Sequence, residues 1–305
     1  MASKTKKGYT PDESGVAFRG TEHAGEVTGF RAQLLNEISA EQAAELGDDW
    51  LVQQKFDGER RWLSVEDGHS VFANRDGLAT GVQEPVAAAW EALTNTSLSF
   101  SADGEDMGDY VVIFDVTRHP GLVSGTFQER AELLLEIQET IKGLGLEDHL
   151  KVEIPVPAQD FFKGRDKTLL EAGAEGYVLR HKNSVYTPGK PSSGGEALKV
   201  KFWDDVSCRV AQGRDGKSSV GLELLDENGT WISVGNVTVP QGKKPEIGAI
   251  IDVKYLYAYK NGSIYQPTFK GVRTDIPESD CRMDRLKYKV EAAPRAETDD
   301  PGIMP

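Results

Sequence analysis

The stretch Lys55-Phe56-Asp57-Gly58-Glu59-Arg60 decides what this chain is expected to be. A short alternating run from Trp50 leads into it, which predicts a β-strand ending at the lysine, and Asp-Gly is a typical turn pair. An ordinary charged hairpin is one interpretation. The other is a nucleophilic lysine, which attacks only when neutral and therefore needs neighbouring cations, desolvation or a metal to lower its pKa.

Further elements follow this stretch in a fixed order. They are Asn74-Arg75-Asp76-Gly77, Asp103-Gly104-Glu105, Ile113-Phe114-Asp115, Glu175-Gly176-Tyr177-Val178 and Leu198-Lys199-Val200-Lys201. With KxDGxR at Lys55, the series resembles that of the covalent nucleotidyltransferases, which comprise ATP-dependent DNA ligases, RNA ligases and mRNA capping enzymes. The resemblance extends over residues 50–275. It implies a compact ATP-dependent DNA ligase of the phage or viral type.

The resemblance implies a role for each matching residue. Lys55 would be the nucleophile that carries AMP, and the other catalytic residues would be Asp57, Arg60, Lys199 and Lys201. The nucleotide would be bound by Gln53, Lys55, Arg60, Arg75, Glu105, Phe114, Glu175, Lys199, Lys201 and Arg273. In this set Glu105 would contact the ribose, Phe114 would stack on the adenine, and the two lysines of the last element would hold phosphate. Glu175, Asp57 and Glu105 would bind Mg²⁺, with Mn²⁺ as a substitute.

The chemistry of nucleotidyl transfer explains why the site would need lysines, arginines and carboxylates. Charge builds on phosphoryl oxygens during nucleotidyl transfer, so the site needs cations and a metal held by hard oxygen ligands. Lys199 and Lys201 lie two apart on a predicted strand, so both side chains point to one face.

Two positions depart from the family pattern. Gln53 stands where many DNA ligases have an acidic residue that accepts a hydrogen bond from the adenine amine; a glutamine carbonyl can also accept one. Near the end of the similarity, Arg273-Thr274-Asp275-Ile276 resembles the RxDK element, but Ile276 replaces its lysine. Arg273 is therefore expected to do more of the orienting of the pyrophosphate leaving group.

Composition fits a soluble globular protein. The chain has 305 residues, 38% of them hydrophobic, and a formal charge of −14. The acidity argues against a non-specific nucleic-acid coat protein but leaves room for a local basic groove, for which residues 161–203 and 270–289 are candidates. Cys208 and Cys281 are expected to be buried thiols. No stretch is long and apolar enough to span a membrane, and the expected location is the cytoplasm, or the host cytoplasm for a viral protein.

The fold class expected is α+β with two domains. A nucleotidyltransferase domain with antiparallel sheets and flanking helices would occupy residues 17–204, and a small all-β OB-fold barrel would occupy residues 205–290. Residues 1–16 and 291–305 are expected to be disordered. About fifty residues precede Lys55, so no large N-terminal helical DNA-binding domain is expected.

Hydrophobic patterns place the elements inside these domains. Helices are predicted for Phe30–Leu46, with a start signal at Ser39, for Val82–Leu93 and for Thr126–Ile141. In the second domain five strands are predicted, at Val206–Val210, Val220–Leu225, Trp231–Val239, Ile250–Tyr257 and Ser263–Phe269.

The function expected is that of a monomeric DNA ligase acting in DNA repair, replication or recombination. It would seal nicks in duplex DNA through a lysyl-AMP intermediate, transfer of AMP to the 5′-phosphate and attack by the 3′-OH. Two alternatives remain open. One is an RNA ligase or an mRNA capping guanylyltransferase. The other is a non-catalytic OB-type nucleic-acid-binding protein, against which the intact Lys55 and Glu175 argue.

Overall fold

The computed structural model describes residues 18–19, 23–66, 69–96, 99–213 and 218–290. The chain divides into two compact units, one that runs to Lys201 and one that begins at Phe202. The boundary expected from the sequence, between residues 204 and 205, lies slightly later. The segments 1–16 and 291–305, expected to be disordered, lie outside the described residues. In the described part of the chain, no helix is long and apolar enough to cross a membrane.

The strands of the first unit are β1 (Phe18–Arg19), β2 (Asn36–Glu37), β3 (Trp50–Lys55), β4 (Glu59–Glu66), β5 (His69–Ala73), β6 (Val82–Gln83), β7 (Ser101–Asp106), β8 (Val111–Arg118), β9 (Leu150–Val152), β10 (Val156–Pro157), β11 (Gly176–His181) and β12 (Ala197–Lys201). Sheet A has the strand order β10-β3-β11-β12-β2, and sheet B has the order β5-β4-β7-β8-β9. Each is antiparallel except at one edge, where β2 runs parallel to β12 and β9 runs parallel to β8. Strands β1 and β6 form a separate pair.

The helices among the described residues are α1 (Ala40–Ala44), α2 (Glu84–Thr94), α3 (Phe127–Gly143), α4 (Ala158–Phe161) and α5 (Arg165–Glu171). Helices α2 and α3 pack on sheet B, where Trp90 and Leu134 join one hydrophobic core with strand residues. Helix α3 begins after Thr126, whose side chain accepts a hydrogen bond from the Glu129 N–H. This confirms the helices predicted from the apolar periodicity at these two places.

The helix predicted over Phe30–Leu46 is wrong for its first part. Only Ala40–Ala44 is helical, and it begins where the sequence places a start signal. Ser39 and Gln42 form a capping box there, in which each side chain bonds the other residue's backbone N–H. The helix start predicted at Ser39 is therefore confirmed, whereas the helix predicted from the apolar periodicity of the residues before it is wrong.

Residues 30–38, which we call the strap, run as extended chain because other segments take their backbone hydrogen bonds. The Leu34 N–H donates to the Gly189 carbonyl (2.8 Å), and the Ile38 N–H donates to the Lys199 carbonyl (3.0 Å). Such long-range pairing overrides a weak helical preference. The strap thereby lies along the edge of sheet A.

The second unit contains β13 (Asp204–Ala211), β14 (Ser219–Leu225), β15 (Trp231–Thr238), β16 (Ile250–Tyr255), β17 (Tyr257–Ala258), β18 (Ile264–Tyr265) and β19 (Thr268–Arg273). Five of these strands form an antiparallel sheet in the order β15-β14-β13-β16-β19, and the two edge strands contact one another. Their apolar side chains form one core, in which Cys208 and Cys281 are buried as free thiols.

The fifth strand predicted for this unit is misplaced. It lies at Thr268–Arg273 rather than Ser263–Phe269. Gln266 has a φ of 54°, in the left-handed region, and a proline follows it. Because an extended strand needs negative φ, the chain turns here and begins a new strand.

Candidate active site

Strand register places the predicted nucleophile beside a predicted phosphate ligand. Gly176 on β11 lies opposite Lys55 on β3 and also opposite Lys201 on β12. Residues opposed in this way have their side chains on the same face of the sheet. A Cβ at position 176 would collide with the Val200 carbonyl oxygen, so only glycine lets the strands approach this closely. The two lysines therefore flank a residue without a side chain.

The carboxylate of Glu175 fills the space between these lysines. It is 6% exposed, and its Oε2 accepts a hydrogen bond from the Lys55 ammonium. Its Oε1 lies 2.8 Å from the Lys201 Nζ. One buried carboxylate thus fixes two ammonium groups and partly neutralises both, which is the arrangement in which buried charges are tolerated.

Lys199 extends the same charged face. It lies opposite Val178 on β11, which in turn lies opposite Gln53 on β3. Burial lowers the pKa of Lys199, and the positive charges of Lys201 and Lys55 lower it further. Three lysines close enough to influence one another create a positive potential that suits a polyphosphate.

Arg60 reaches the site from sheet B. Its guanidinium makes a bidentate ion pair with the carboxylate of Asp103, and Asp103 is fully buried. Its Cζ lies 4.7 Å from the centre of the Phe114 ring. Burial alone would lower the pKa of Arg60, but the charge and hydrogen bonds of Asp103 outweigh it and raise that pKa, so the group stays charged. A fixed cation therefore lies against the aromatic ring expected to stack on the base.

Glu105 lies one residue before the end of β7, on the same side. Its Oε1 accepts a hydrogen bond from the Gly58 N–H (3.2 Å), and a Cβ at position 58 would collide with the Asp106 carbonyl oxygen. Glycine is therefore needed for the turn after Lys55 to approach β7. Burial raises the pKa of Glu105 to about 7, against the opposing influence of Lys55 and Arg60.

The carboxylates predicted to bind a metal do not form a ready-made cluster. In the part of the chain that the structure describes, no group of three or more His, Cys, Asp or Glu residues is arranged to hold a metal ion. Asp57 lies in the turn between β3 and β4, whereas Glu105 and Glu175 are close enough to interact electrostatically with each other. Of the three predicted carboxylates, Glu105 and Glu175 are shown to interact with each other, and the full set with Asp57 stays a prediction.

Gln53 is held in one orientation by the protein. Its amide nitrogen donates to the carbonyls of Phe114 (2.9 Å) and Glu153 (2.6 Å), and its Oε1 accepts from Arg180 Nη1 (2.5 Å). If the amide oxygen and nitrogen were exchanged, the oxygen would face two carbonyl oxygens and the NH₂ group would face the Arg180 guanidinium, so the orientation is fixed. Its carbonyl oxygen keeps one lone pair, which is the only capacity left for a ligand.

Sequence reasoning missed the buried charges behind this residue. Arg180 is 4% exposed, and its Nε has no hydrogen-bond partner among the described residues, although it lies 3.7 Å from Asp115 Oδ2. Asp115 also pairs with the buried Arg130 of α3 (2.7 Å). The available signal was an arginine on the otherwise apolar face of that helix, since a buried charge needs a partner.

Two adjoining cavities contain most of the predicted site. The more enclosed one has a volume of about 430 Å³ and is lined by Leu35, Gln53, Gln54, Lys55, Phe56, Arg60, Glu105, Phe114, Val178 and Arg180. The other is an open cleft of about 1000 Å³ lined by Gln33, Leu34, Leu35, Lys55, Gly58, Glu59, Arg60, Asn74, Arg75, Asp76, Glu105 and Lys199. Lys55, Arg60 and Glu105 line both cavities. The strap residues on these walls were not predicted to belong to the site.

Arg75 lies on the open cleft but is mostly exposed, at 64% of its side chain. The turn that carries it is fixed by Asn74, whose Oδ1 accepts from the N–H groups of Asp76 (2.9 Å) and Leu78 (3.1 Å). The asparagine therefore shapes the turn, while the arginine extends from it.

Arg273 belongs to the second unit, where it pairs with Asp252 (2.8 Å) and Asp275 (2.6 Å). Other cations of the basic stretch 270–289 are also engaged: Lys270 pairs with Asp205, Arg282 pairs with Asp284, and Lys287 donates to the Phe202 carbonyl. Lys270 and Arg273 are thus paired with two acids outside the stretch, Asp205 and Asp252, which a count of its own charges leaves out.

Comparison with known proteins supports the fold. No protein-family model matches the chain, and no curated protein matches it significantly. A structure described as belonging to Lig E DNA ligases that bind DNA with a minimal scaffold matches with a TM-score of 0.59 at 18% identity, over 80% of this chain and 99% of that one. Structures named Pmar-Lig_Pre and Pmar-Lig_PreS3 match with TM-scores of 0.64 and 0.63 at 17% identity, over 80% of this chain and 67% and 68% of theirs. The resemblance to DNA ligases indicated by the motifs is thereby confirmed at the level of the fold.

Proposed function

We propose that this chain is an ATP-dependent DNA ligase that seals nicks through a lysyl-AMP intermediate on Lys55. The observation that carries the proposal is the position of Lys55, which lines both the enclosed pocket and the open cleft. A nucleotide with its base in the pocket and its phosphates in the cleft would have its α-phosphorus near Lys55.

The residues around Lys55 supply what the first step requires. The neutral amine of Lys55 attacks the α-phosphorus, the bond to the bridging oxygen breaks, and pyrophosphate leaves. The ammonium must first lose a proton, and Glu175, which accepts a hydrogen bond from it, is placed to receive that proton. Lys199 and Lys201 supply fixed positive charge for the phosphoryl oxygens.

The carboxylate of Glu105, which lines both cavities, fits a Mg²⁺ ion that also binds substrate phosphates. Glu175 would be the second carboxylate of such a site if the Lys55 proton passes to another acceptor. In such sites Mg²⁺ takes one or two protein carboxylates and completes its shell with phosphate and water. When bound, the ion would neutralise charge that develops on the transferred phosphoryl group.

The polar groups around the base pocket favour adenine. Phe114 lines the pocket and offers a ring for stacking. Gln53 has no amide hydrogen left, because both are given to main-chain carbonyls. Its remaining capacity is an acceptor, which suits the adenine amine and not the guanine carbonyl.

The second unit supports duplex DNA as the partner. Numbered along the chain, its five-stranded sheet has the order 3-2-1-4-5, and the edge strands β15 and β19 contact one another, as expected of an OB-type barrel. AMP would pass from Lys55 to the 5′-phosphate of a nick, and the 3′-OH would then displace it to form the phosphodiester bond. The protein would act as a monomer.

Intact-protein mass spectrometry tests this function. After incubation with ATP and Mg²⁺ the mass should rise by one adenylate, and a nicked duplex with a 5′-phosphate should remove the adduct while a sealed strand appears. A matched duplex without the 5′-phosphate should leave the adduct in place. A gain only with GTP, or an adduct that nicked DNA never removes, would contradict the proposal.

A further inference from the structure

The hydroxyl of Tyr186 connects the strap to the charged groups of the site. It accepts a hydrogen bond from the Gln33 N–H (3.0 Å) and lies 2.6 Å from Asp103 Oδ2. A backbone N–H can only donate, so the Tyr186 proton points to Asp103. Burial, together with the charge of Asp103, raises the pKa of Tyr186, and the hydroxyl therefore stays protonated and able to donate.

Asp103 receives three donors on its two oxygens. Arg60 donates through Nε to Oδ1 and through Nη2 to Oδ2, and Tyr186 donates to Oδ2. Asp103 is fully buried, so water cannot take the place of a lost donor, and losing one would leave a carboxylate oxygen short of a hydrogen bond. The third hydrogen bond fixes the plane of the carboxylate, and that plane determines where the guanidinium of Arg60 lies.

The position of Arg60 matters for the site as a whole. Its guanidinium lies over the Phe114 ring and lines both cavities that meet at Lys55. Catalytic groups must be held within a fraction of an ångström by the residues behind them. A small rotation of the Asp103 carboxylate would therefore move a positive charge away from the phosphate or the base.

We infer that Tyr186 is a positioning residue for nucleotidyl transfer: its hydroxyl orients Asp103, and Asp103 holds Arg60 in its working orientation. This inference rests on the proposed function and assigns a role to a loop residue outside the motif series. The strap takes part in this positioning, because its Gln33 N–H donates to the Tyr186 oxygen and so leaves the Tyr186 hydrogen for Asp103.

The test is the single-turnover rate of adduct formation with ATP and Mg²⁺ in Tyr186→Phe, which removes only the hydroxyl. Loss of a group that orients a metal ligand typically costs 10–100-fold in activity, and on that scale we expect a rate constant lower by roughly 10–100-fold at saturating ATP. A purely structural defect would lower the amplitude, that is, the fraction of protein able to react, and leave the rate constant intact. As a matched control, Tyr110→Phe removes the hydroxyl of a tyrosine whose ring lies against Lys151 rather than against the Asp103–Arg60 pair, and this variant should react normally.

A double-mutant cycle identifies the route of the effect. If Tyr186 acts through Arg60, the loss caused by Tyr186→Phe should largely disappear in the Arg60→Lys background, because lysine cannot make the two-pronged contact. Full additivity, or a normal rate constant in Tyr186→Phe, would overturn this inference alone. Absence of any adduct in the unmodified protein would overturn the proposed function as well.

Discussion

Glu175, the residue before β11, accepts a hydrogen bond from the ammonium of Lys55 at the end of the neighbouring strand β3. The other oxygen of the same carboxylate holds Lys201, so the amine expected to attack and a cation expected to bind phosphate are fixed by one group. The spacing depends on Gly176, which lies between the two lysine-bearing strands. Backbone geometry, ion pairing and the chemistry proposed for the site are thus linked at one position.

Glu175→Gln should reduce adduct formation by roughly 100-fold or more, the scale found for preorganised electrostatic groups. The amide cannot take the proton of Lys55 and does not neutralise Lys201. Quenched-flow or manual time courses of adenylylation would measure the loss. Glu139→Gln is the matched control, because Glu139 pairs with Lys142 (2.9 Å) at the exposed surface. An unchanged rate in Glu175→Gln would show that this ion pair serves folding only.

Gln53→Glu should destabilise the protein by about 1–3 kcal/mol, the cost of leaving buried polar groups unpaired. A carboxylate at this position would face the carbonyls of Phe114 and Glu153 with no hydrogen to donate. Attraction to Arg180 would offset part of the loss. Urea denaturation would measure the change, with Gln138→Glu on the half-buried side of α3 as the control. Stability equal to that of the unmodified protein would mean that the Gln53 amide is not held as described.

Gly176→Ala should cost about 1–3 kcal/mol of stability, as overpacking does, and should slow adenylylation as well. The new methyl group would push β12 away from β11 and separate Lys201 from Glu175. Gly47→Ala is the control, since a Cβ at position 47 would meet no atom within 4 Å. Thermal denaturation and adduct formation should both be measured, and normal values for both in Gly176→Ala would contradict the close approach of the two strands.

The sequence predicted the parts of the site that depend on short motifs. Lys199 and Lys201 share one face of sheet A, as strand alternation requires, and the register of β11 puts Lys55 on that face too. Glu175 precedes β11 and contacts Lys55 and Lys201 from outside the strand, which alternation does not predict. The helix α3 was also predictable, since its apolar residues recur at helical spacing.

What the sequence did not predict depends on partners that are distant in the chain. The strap is extended because Gly189 and Lys199 take its hydrogen bonds, and nothing in its own residues reveals this. The hydrogen bond from Tyr186 to Asp103 joins residues 83 positions apart. The basic stretch 270–289 was overestimated because a count of charges does not show that Asp205 and Asp252 pair with its cations.

The measurement that tests the account most directly is identification of the residue that carries the adenylate. The protein would be incubated with ATP and Mg²⁺, digested, and sequenced by tandem mass spectrometry under conditions that preserve the phosphoramidate bond. We expect the adduct on Lys55, and none in Lys55→Arg, because a guanidinium stays protonated and cannot attack. Lys199→Arg serves as the comparison, since it should slow the reaction without moving the adduct. An adenylate on any other residue, or full adduct formation by Lys55→Arg, would contradict the account.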